Sequence, residues 1–233
     1  MVRLIILTQQ EFAAAVTAPF RALAQAPELV VATTLADLEN SLGPVPKNIS
    51  VISFGSGVIV PAAILAALPG PAYNFHPGPP NCPGIFPSVF ALYDGAARFG
   101  VTLHEMAAQV DSGPIVAVET FAVPKDCDRL ALDTTTFAAL LNLMEKFAPA
   151  LADVATPLPR IAQAWSGTRR SHKHFDAFCH LPEDATPEEF ERRLRAAGEG
   201  PEHALTITRF GRTFRLTHQQ GDGVVGGGQR VKT

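Results

Sequence analysis

Asn74 and His76 stand two residues apart in Ala72–His76, a short run that reads as a strand. Side chains alternate with period two along a strand, so both polar groups fall on one side. At the carboxyl end of a strand such a pair points into a ligand crevice. The next eight residues, Pro77–Gly84, include six Pro or Gly. Proline lacks the ladder donor, so this stretch leaves the sheet as a rigid loop that keeps the crevice open. Asp111 opens the turn Asp111–Gly113 and, being on a turn rather than a helix face, can reach inward. An amide, an imidazole and a carboxylate together can donate to a developing anion and move a proton. Singly they have plainer explanations: a loop cap, a buried structural histidine and a turn former.

These residues need elements to hold them. Val2–Leu7, Leu29–Thr34, Ser50–Ser53 and Ala72–His76 read as strands. Helical patterns fall between them at Gln10–Ala26, Thr34–Asn40 (capped by Thr34) and Pro61–Leu68, with Pro61 as the first helical residue. Alternation of this kind predicts βαβ units, a parallel sheet, and a ligand beyond the strands' carboxyl ends. Further on, Ser88–Gly95 reads as a helix, Thr102–Met106 and Ile115–Phe121 as strands, and Thr134–Ala150 as a long helix. Past Trp165 come a helix over Thr186–Ala197 and a hairpin of Ala204–Phe210 and Arg212–His218, joined at Gly211. The Gly-rich stretch 221–233 reads as a mobile tail. The expected division is therefore 1–166, 167–220 and 221–233.

The combination is more specific than its parts. Asn74-Phe75-His76, then Gly100-Val101-Thr102, then Asp111-Ser112-Gly113-Pro114-Ile115 resembles the core of the folate-dependent formyltransferases. The likeness covers Leu4–Val123 as fold and is specific over Asn74–Ile115. It implies a Rossmann-like, mostly parallel open α/β sheet with a small C-terminal helix and β-hairpin. It also implies 10-formyltetrahydrofolate as formyl donor, no metal, and Asn74, His76 and Asp111 as the catalytic set. In such a reaction Asn74 would donate to the oxyanion. His76 would relay the amine's proton or donate when charged, and Asp111 would orient the imidazole or accept a proton through water.

The family holds the pterin with backbone from two loops, which by resemblance are Ser53–Pro61 and Ala107–Asp111. The expected donor-binding residues are Phe54, Gly55, Ser56, Gly57, Val58, Ile59, Ala107 and Val110. Gly55 and Gly57 would let backbone approach a flat ring. Gly78, Pro79, Ile85 and Phe86 are the expected acceptor contacts. Gly78-Pro79-Pro80 replaces the family's Ser-Leu-Leu, and Gly84 falls ten residues after Asn74 rather than eleven, so the loop is shorter. Thr8-Gln9-Gln10-Glu11 after the first strand lacks the Gly-rich turn that cradles phosphate in the purine-pathway member.

Composition narrows the acceptor. The 233 residues carry net charge −3, with residues 1–166 at −5 and 167–233 at +2. A general nucleic-acid binder carries a strongly basic face, so tRNA is disfavoured. His174-Phe175-Asp176 followed by Pro187–Ala196 resembles the short extension of the amino-sugar formyltransferases. The expected acceptor is the amine of a nucleotide-linked amino sugar, feeding surface polysaccharide. Alternatives are another small amine (an amino acid or siderophore precursor), methionyl-tRNA, or a family member that binds folate without catalysis. Three separated cysteines, Cys82, Cys127 and Cys179, make neither a disulfide framework nor a zinc motif. With no apolar run of eighteen residues and no signal pattern, the expected setting is cytoplasmic and off the membrane. The C-terminal hairpin is a candidate homodimer contact.

Overall fold

The structure is a computed structural model that describes residues 2–43, 47–198 and 204–216. Four strands form its centre, the first three rich in β-branched residues or leucine: β1 (Arg3–Thr8), β2 (Glu28–Ala32), β3 (Ile49–Phe54) and β4 (Tyr73–His76). They run parallel, joined by α1 (Ala13–Arg21), α2 (Leu35–Leu42) and α3 (Ala62–Ala67). After α4 (Pro87–Tyr93), β5 (Arg98–Glu105) and β6 (Ile115–Ala122) add antiparallel, giving the order β2-β1-β3-β4-β5-β6. This is the expected mostly parallel α/β sheet.

Alternation decides what each face buries. Leu4, Ile6, Ile52, Phe54 and Phe75 face α1 and the long helix α5 (Arg129–Leu151). Ile5, Leu7 and Val51 face the other way, toward Leu38 and Leu42 of α2. A second core joins α4 to α6 (His172–Cys179), α7 (Pro187–Ala197) and the small sheet of β7 (His180–Leu181), β8 (Thr206–Arg209) and β9 (Arg212–Arg215). Phe90, Phe175, Phe178 and Leu205 supply its bulk. The C-terminal elements thus share buried side chains with α4.

Several boundaries differ from the sequence pattern, each for a local reason. The helix expected over Gln10–Ala26 is confined to Ala13–Arg21, entered through a turn in which the Phe12 N–H donates to Gln9 O at 3.1 Å. Pro61 caps α3 from outside, with an extended ψ of 143°, rather than opening it. The long helix starts at Arg129, five residues before the expected Thr134, because the Asp128 carboxylate accepts the Ala131 N–H at 2.8 Å and caps it there. Thr34 caps α2 as expected, in a capping box with Asp37. Helix α6 was not foreseen. The tail 221–233 and the hairpin end at residues 217 and 218 lie outside the described residues.

The connector between α5 and α6 lies along the proline-rich loop. Ser166 N–H donates to Pro80 O at 2.9 Å, Arg170 N–H to Pro83 O at 3.0 Å, and Ile85 N–H to Arg170 O at 3.1 Å. Gly84 makes this approach possible: its φ is +97°, and a Cβ there would stand 2.1 Å from Arg170 O. Gly84→Ala is therefore expected to cost about 2 kcal/mol or more, through backbone strain and a main-chain clash. Urea unfolding measures it; an unchanged midpoint would show that the two segments part without cost.

Candidate active site

The turn from parallel to antiparallel pairing brings the polar residues together. Across the β4–β5 ladder Asn74 stands opposite His104, and His76 opposite Thr102. Alternation puts all four side chains on one face of the sheet. Asn74 Nδ2 lies 3.0 Å from His104 Nε2. The segment between β5 and β6 then delivers Asp111, whose backbone is left-handed (φ +46°) and which is only 4% exposed. A non-glycine residue held there stores about 1–3 kcal/mol of strain, which the surrounding contacts must balance. One of those contacts is the Gly84 N–H, which donates to Asp111 Oδ2 at 2.7 Å.

Asp111 faces two imidazoles. His76 Nδ1 is 3.4 Å from its Oδ2, and His104 Nε2 is 3.4 Å from its Oδ1. Burial raises the carboxyl's pKa. The Gly84 N–H and the two imidazoles packed against its oxygens outweigh it and hold the group below the usual carboxylate range. For His76 burial wins: it pushes the imidazole below its ordinary value, against the pull of Asp111 and the Cys82 carbonyl. Its Nε2 lies 3.0 Å from Cys82 O, so that nitrogen carries the proton and Nδ1 turns a lone pair toward Asp111. His104 Nδ1 lies 2.8 Å from Glu105 O and carries a proton there. Its Nε2 then accepts from the Asn74 amide, which leaves the second amide N–H of Asn74 for a ligand.

Trp165 closes the back of the site. Its Nε1–H donates to Gly113 O at 2.8 Å, and its ring meets His76 and His104 nearly edge-on at 5.4 and 4.9 Å. Behind His104, the Glu105 carboxylate takes a two-pronged bond from Arg160 at 2.8 Å for each oxygen.

In front lies a cavity of about 400 Å³, within the range that holds a small organic ligand. Asn74, His104 and Asp111 line it; His76 does not, and meets it through Asp111. Of the expected donor-binding residues, Ser56, Gly57, Val58, Ile59, Ala107 and Val110 line the cavity. Phe54 does not: it is fully buried against Phe75 and Phe137. Gly55 sits under the Phe12 ring instead. Among the expected acceptor contacts only Ile85 lines the cavity. Gly78 makes room for His76, since a Cβ there would lie 2.7 Å from Nε2. Pro79 is buried, and Phe86 packs on Phe175 with ring centres 4.1 Å apart.

The sequence pattern missed His104, Arg169 and Arg170, all of which line the cavity. Thr102 and His104 alternate as Asn74 and His76 do, so the signal for His104 existed, but only the pairing of β4 with β5 gives it meaning. Ile59 and Val110, at the mouth, are 68% and 43% exposed, an apolar edge that a flat ring would cover. Among the described residues there is no cluster of metal-ligating side chains, and no helix is long and apolar enough to cross a membrane.

Comparison with known proteins agrees with this fold. A sequence model of the formyl transferase family matches residues 37–137. The dTDP-4-amino-4,6-dideoxyglucose formyltransferase of Mycobacterium tuberculosis is 40% identical over 74 residues, 31% of this chain and 30% of that enzyme, so the aligned stretch spans under a third of that relative's length. In fold the chain is similar to a 4-N formyltransferase from Francisella tularensis, with TM-score 0.74 at 16% identity, covering 93% of this chain and 97% of the other. It is also similar to an N-formyltransferase from Helicobacter canadensis, in complex with folinic acid and dTDP-3-aminofucose, with TM-score 0.67, 16% identity, and 91% and 85% coverage.

The depressed pKa of His76 has a pH consequence. Below its ordinary value of 6.5 the unfolded chain binds a proton that the folded chain refuses, so stability falls as pH drops from 6.5 toward the folded value. The loss approaches about 1.4 kcal/mol per pH unit for one full proton. His76→Gln should flatten this limb of the urea stability profile between about pH 7 and pH 5. An unchanged slope would mean that His76 is protonated in the fold.

Proposed function

From the match of residues 37–137 to the formyl transferase family, we infer that this chain moves a formyl group from 10-formyltetrahydrofolate to a primary amine, that of a nucleotide-linked amino sugar. The single observation that carries this reading is Asn74, His104 and Asp111 converging on one cavity within the matched segment. The donor supplies a formyl carbonyl on a nitrogen leaving group. The chain's task is then to position the amine, hold the oxyanion and move one proton. The apolar edge at Ile59 and Val110 and the backbone of Ser56–Val58 and Ala107 suit a flat heterocycle. A relative of this fold in complex with folinic acid supports that placement.

The roles follow from the contacts. Asn74 offers its free amide N–H to the carbonyl oxygen as that oxygen becomes an anion. His104 keeps the amide turned the right way through its Nε2. Asp111, ionised and facing the cavity, receives the proton that the amine loses as its nitrogen bonds to the formyl carbon. The proton returns to the departing nitrogen as the old C–N bond breaks. His76 stands behind the carboxylate with an unprotonated Nδ1, which makes it a positioning residue able to share that proton. The acceptor amine of an amino sugar is favoured over tRNA by the negative balance of residues 1–166 and by the similarity to dTDP-amino-sugar enzymes.

Incubating the full chain with 10-formyltetrahydrofolate and a panel of dTDP-amino sugars tests the proposal. A sugar nucleotide gaining one formyl mass together with released tetrahydrofolate is expected, and no release with any amine would overturn it. Asn74→Ala and Asp111→Asn should each lower kcat by about 10²-fold or more. The folinic acid Kd should change little. Wild-type turnover in either variant would remove that residue from the chemistry.

A further inference from the structure

One end of the cavity is cationic and has no part in the formyl-transfer steps above. Arg169 and Arg170 line it from the connector between α5 and α6. Backbone bonds hold that connector to the proline-rich loop, so the two residues are placed by main chain and not by their own side chains. Gly167 adds a second close approach, with φ +73° and room for no Cβ because Asn81 O would lie 2.3 Å from it.

Among the described residues neither guanidinium has a carboxylate partner within salt-bridge distance. Arg170 lies over the Phe90 ring at 4.4 Å, which supports its charge without cancelling it. Arg169 is less satisfied. Its Nη2 reaches only the Asp111 carbonyl, at 3.5 Å, and its Nε is buried with no hydrogen-bond partner. Leaving such a donor unpaired costs about 1–3 kcal/mol, so the cavity-lining end of this side chain is the part left to recruit a partner. Two adjacent arginines that line one cavity and have no carboxylate partner call for an anion. The planar fork of a guanidinium suits the oxygens of a phosphate.

We propose that Arg169, supported by Arg170, is the subsite for a phosphate or diphosphate group carried by the amine acceptor. Calling the ligand an acceptor rests on the formyl-transfer reading; the anion site itself does not. The position favours the acceptor over the folate's own carboxylates. Arg169 touches the backbone of Asp111, the residue facing the reacting nitrogen, so its anion belongs to the molecule bearing that nitrogen. The folate carboxylates lie beyond an aminobenzoyl ring, on the side away from the transferred group.

Calorimetric titration of the full chain with inorganic pyrophosphate, and separately with folinic acid, decides it. Arg169→Gln should weaken pyrophosphate binding about tenfold or more, the size expected for a charged hydrogen-bond partner. The folinic acid Kd should move by less than about twofold, since that ligand keeps its own contacts. Arg169→Lys, which keeps the charge without the fork, should fall between wild type and Arg169→Gln. Equal pyrophosphate affinity in wild type and Arg169→Gln would overturn the subsite, as would a wild-type chain that binds no pyrophosphate. Weakened folinic acid binding with unchanged pyrophosphate binding would overturn it too, by assigning Arg169 to the folate tail. If folinic acid fails to bind wild type, the formyl-transfer reading falls, while the pyrophosphate titration still decides the anion site.

Discussion

A buried carboxylate organises this site. Asp111 is 4% exposed, yet the proposed transfer needs it ionised to take a proton from an amine, and burying such a charge is costly unless hydrogen bonds answer it. The Gly84 N–H answers it directly, and the rings of His104 and His76 stand 3.4 Å from its two oxygens. Each comes from a different segment: the proline-rich loop, β5 and β4. The demand of one charge thus ties three segments into register. It also explains how Asp111 is held at φ +46°, where the backbone is unfavourable but the contacts over-determine it.

The same logic runs through the glycines around it. Gly113 lies so close to β5 that a Cβ there would stand 2.0 Å from Glu105 O, the carbonyl that also fixes the His104 tautomer. Its own carbonyl takes the Trp165 N–H, which seats that ring edge-on to both histidines. Gly78 leaves space for the His76 ring. These positions do not loosen the chain. They allow backbone to replace side chain wherever the site is most crowded. The Glu105–Arg160 pair adds less than its bidentate geometry suggests, because the Arg160 side chain is 60% exposed and solvent screens it.

The two cores divide the work. The first, between the sheet and α1 with α5, holds β3 and β4 so that their carboxyl ends open on the cavity. The second joins α4 to α6 and α7, and it anchors the far end of the connector that carries Arg169 and Arg170. The cavity is thus lined both by the carboxyl ends of sheet strands and by the connector.

How much of this was legible depends on the distance over which each signal acts. Strand and helix identity in the first half, the Thr34 cap and the α/β class follow from local pattern, because period and capping act within a few residues. Asn74 and Asp111 stood out by type and spacing. The loop Ser53–Pro61 stood out through Gly55 and Gly57 and its place after a strand. His104 could not be ranked from sequence. Its role depends on which residue lies opposite Asn74, and antiparallel pairing between β4 and β5 is a long-range choice. Nor could His76 be placed behind the cavity, since a short proline-rich loop decides where the Cys82 carbonyl ends up. Residue types and local order thus state which chemistry is available. Which groups face the ligand is set by backbone contacts between segments far apart in the chain, and no local pattern encodes those.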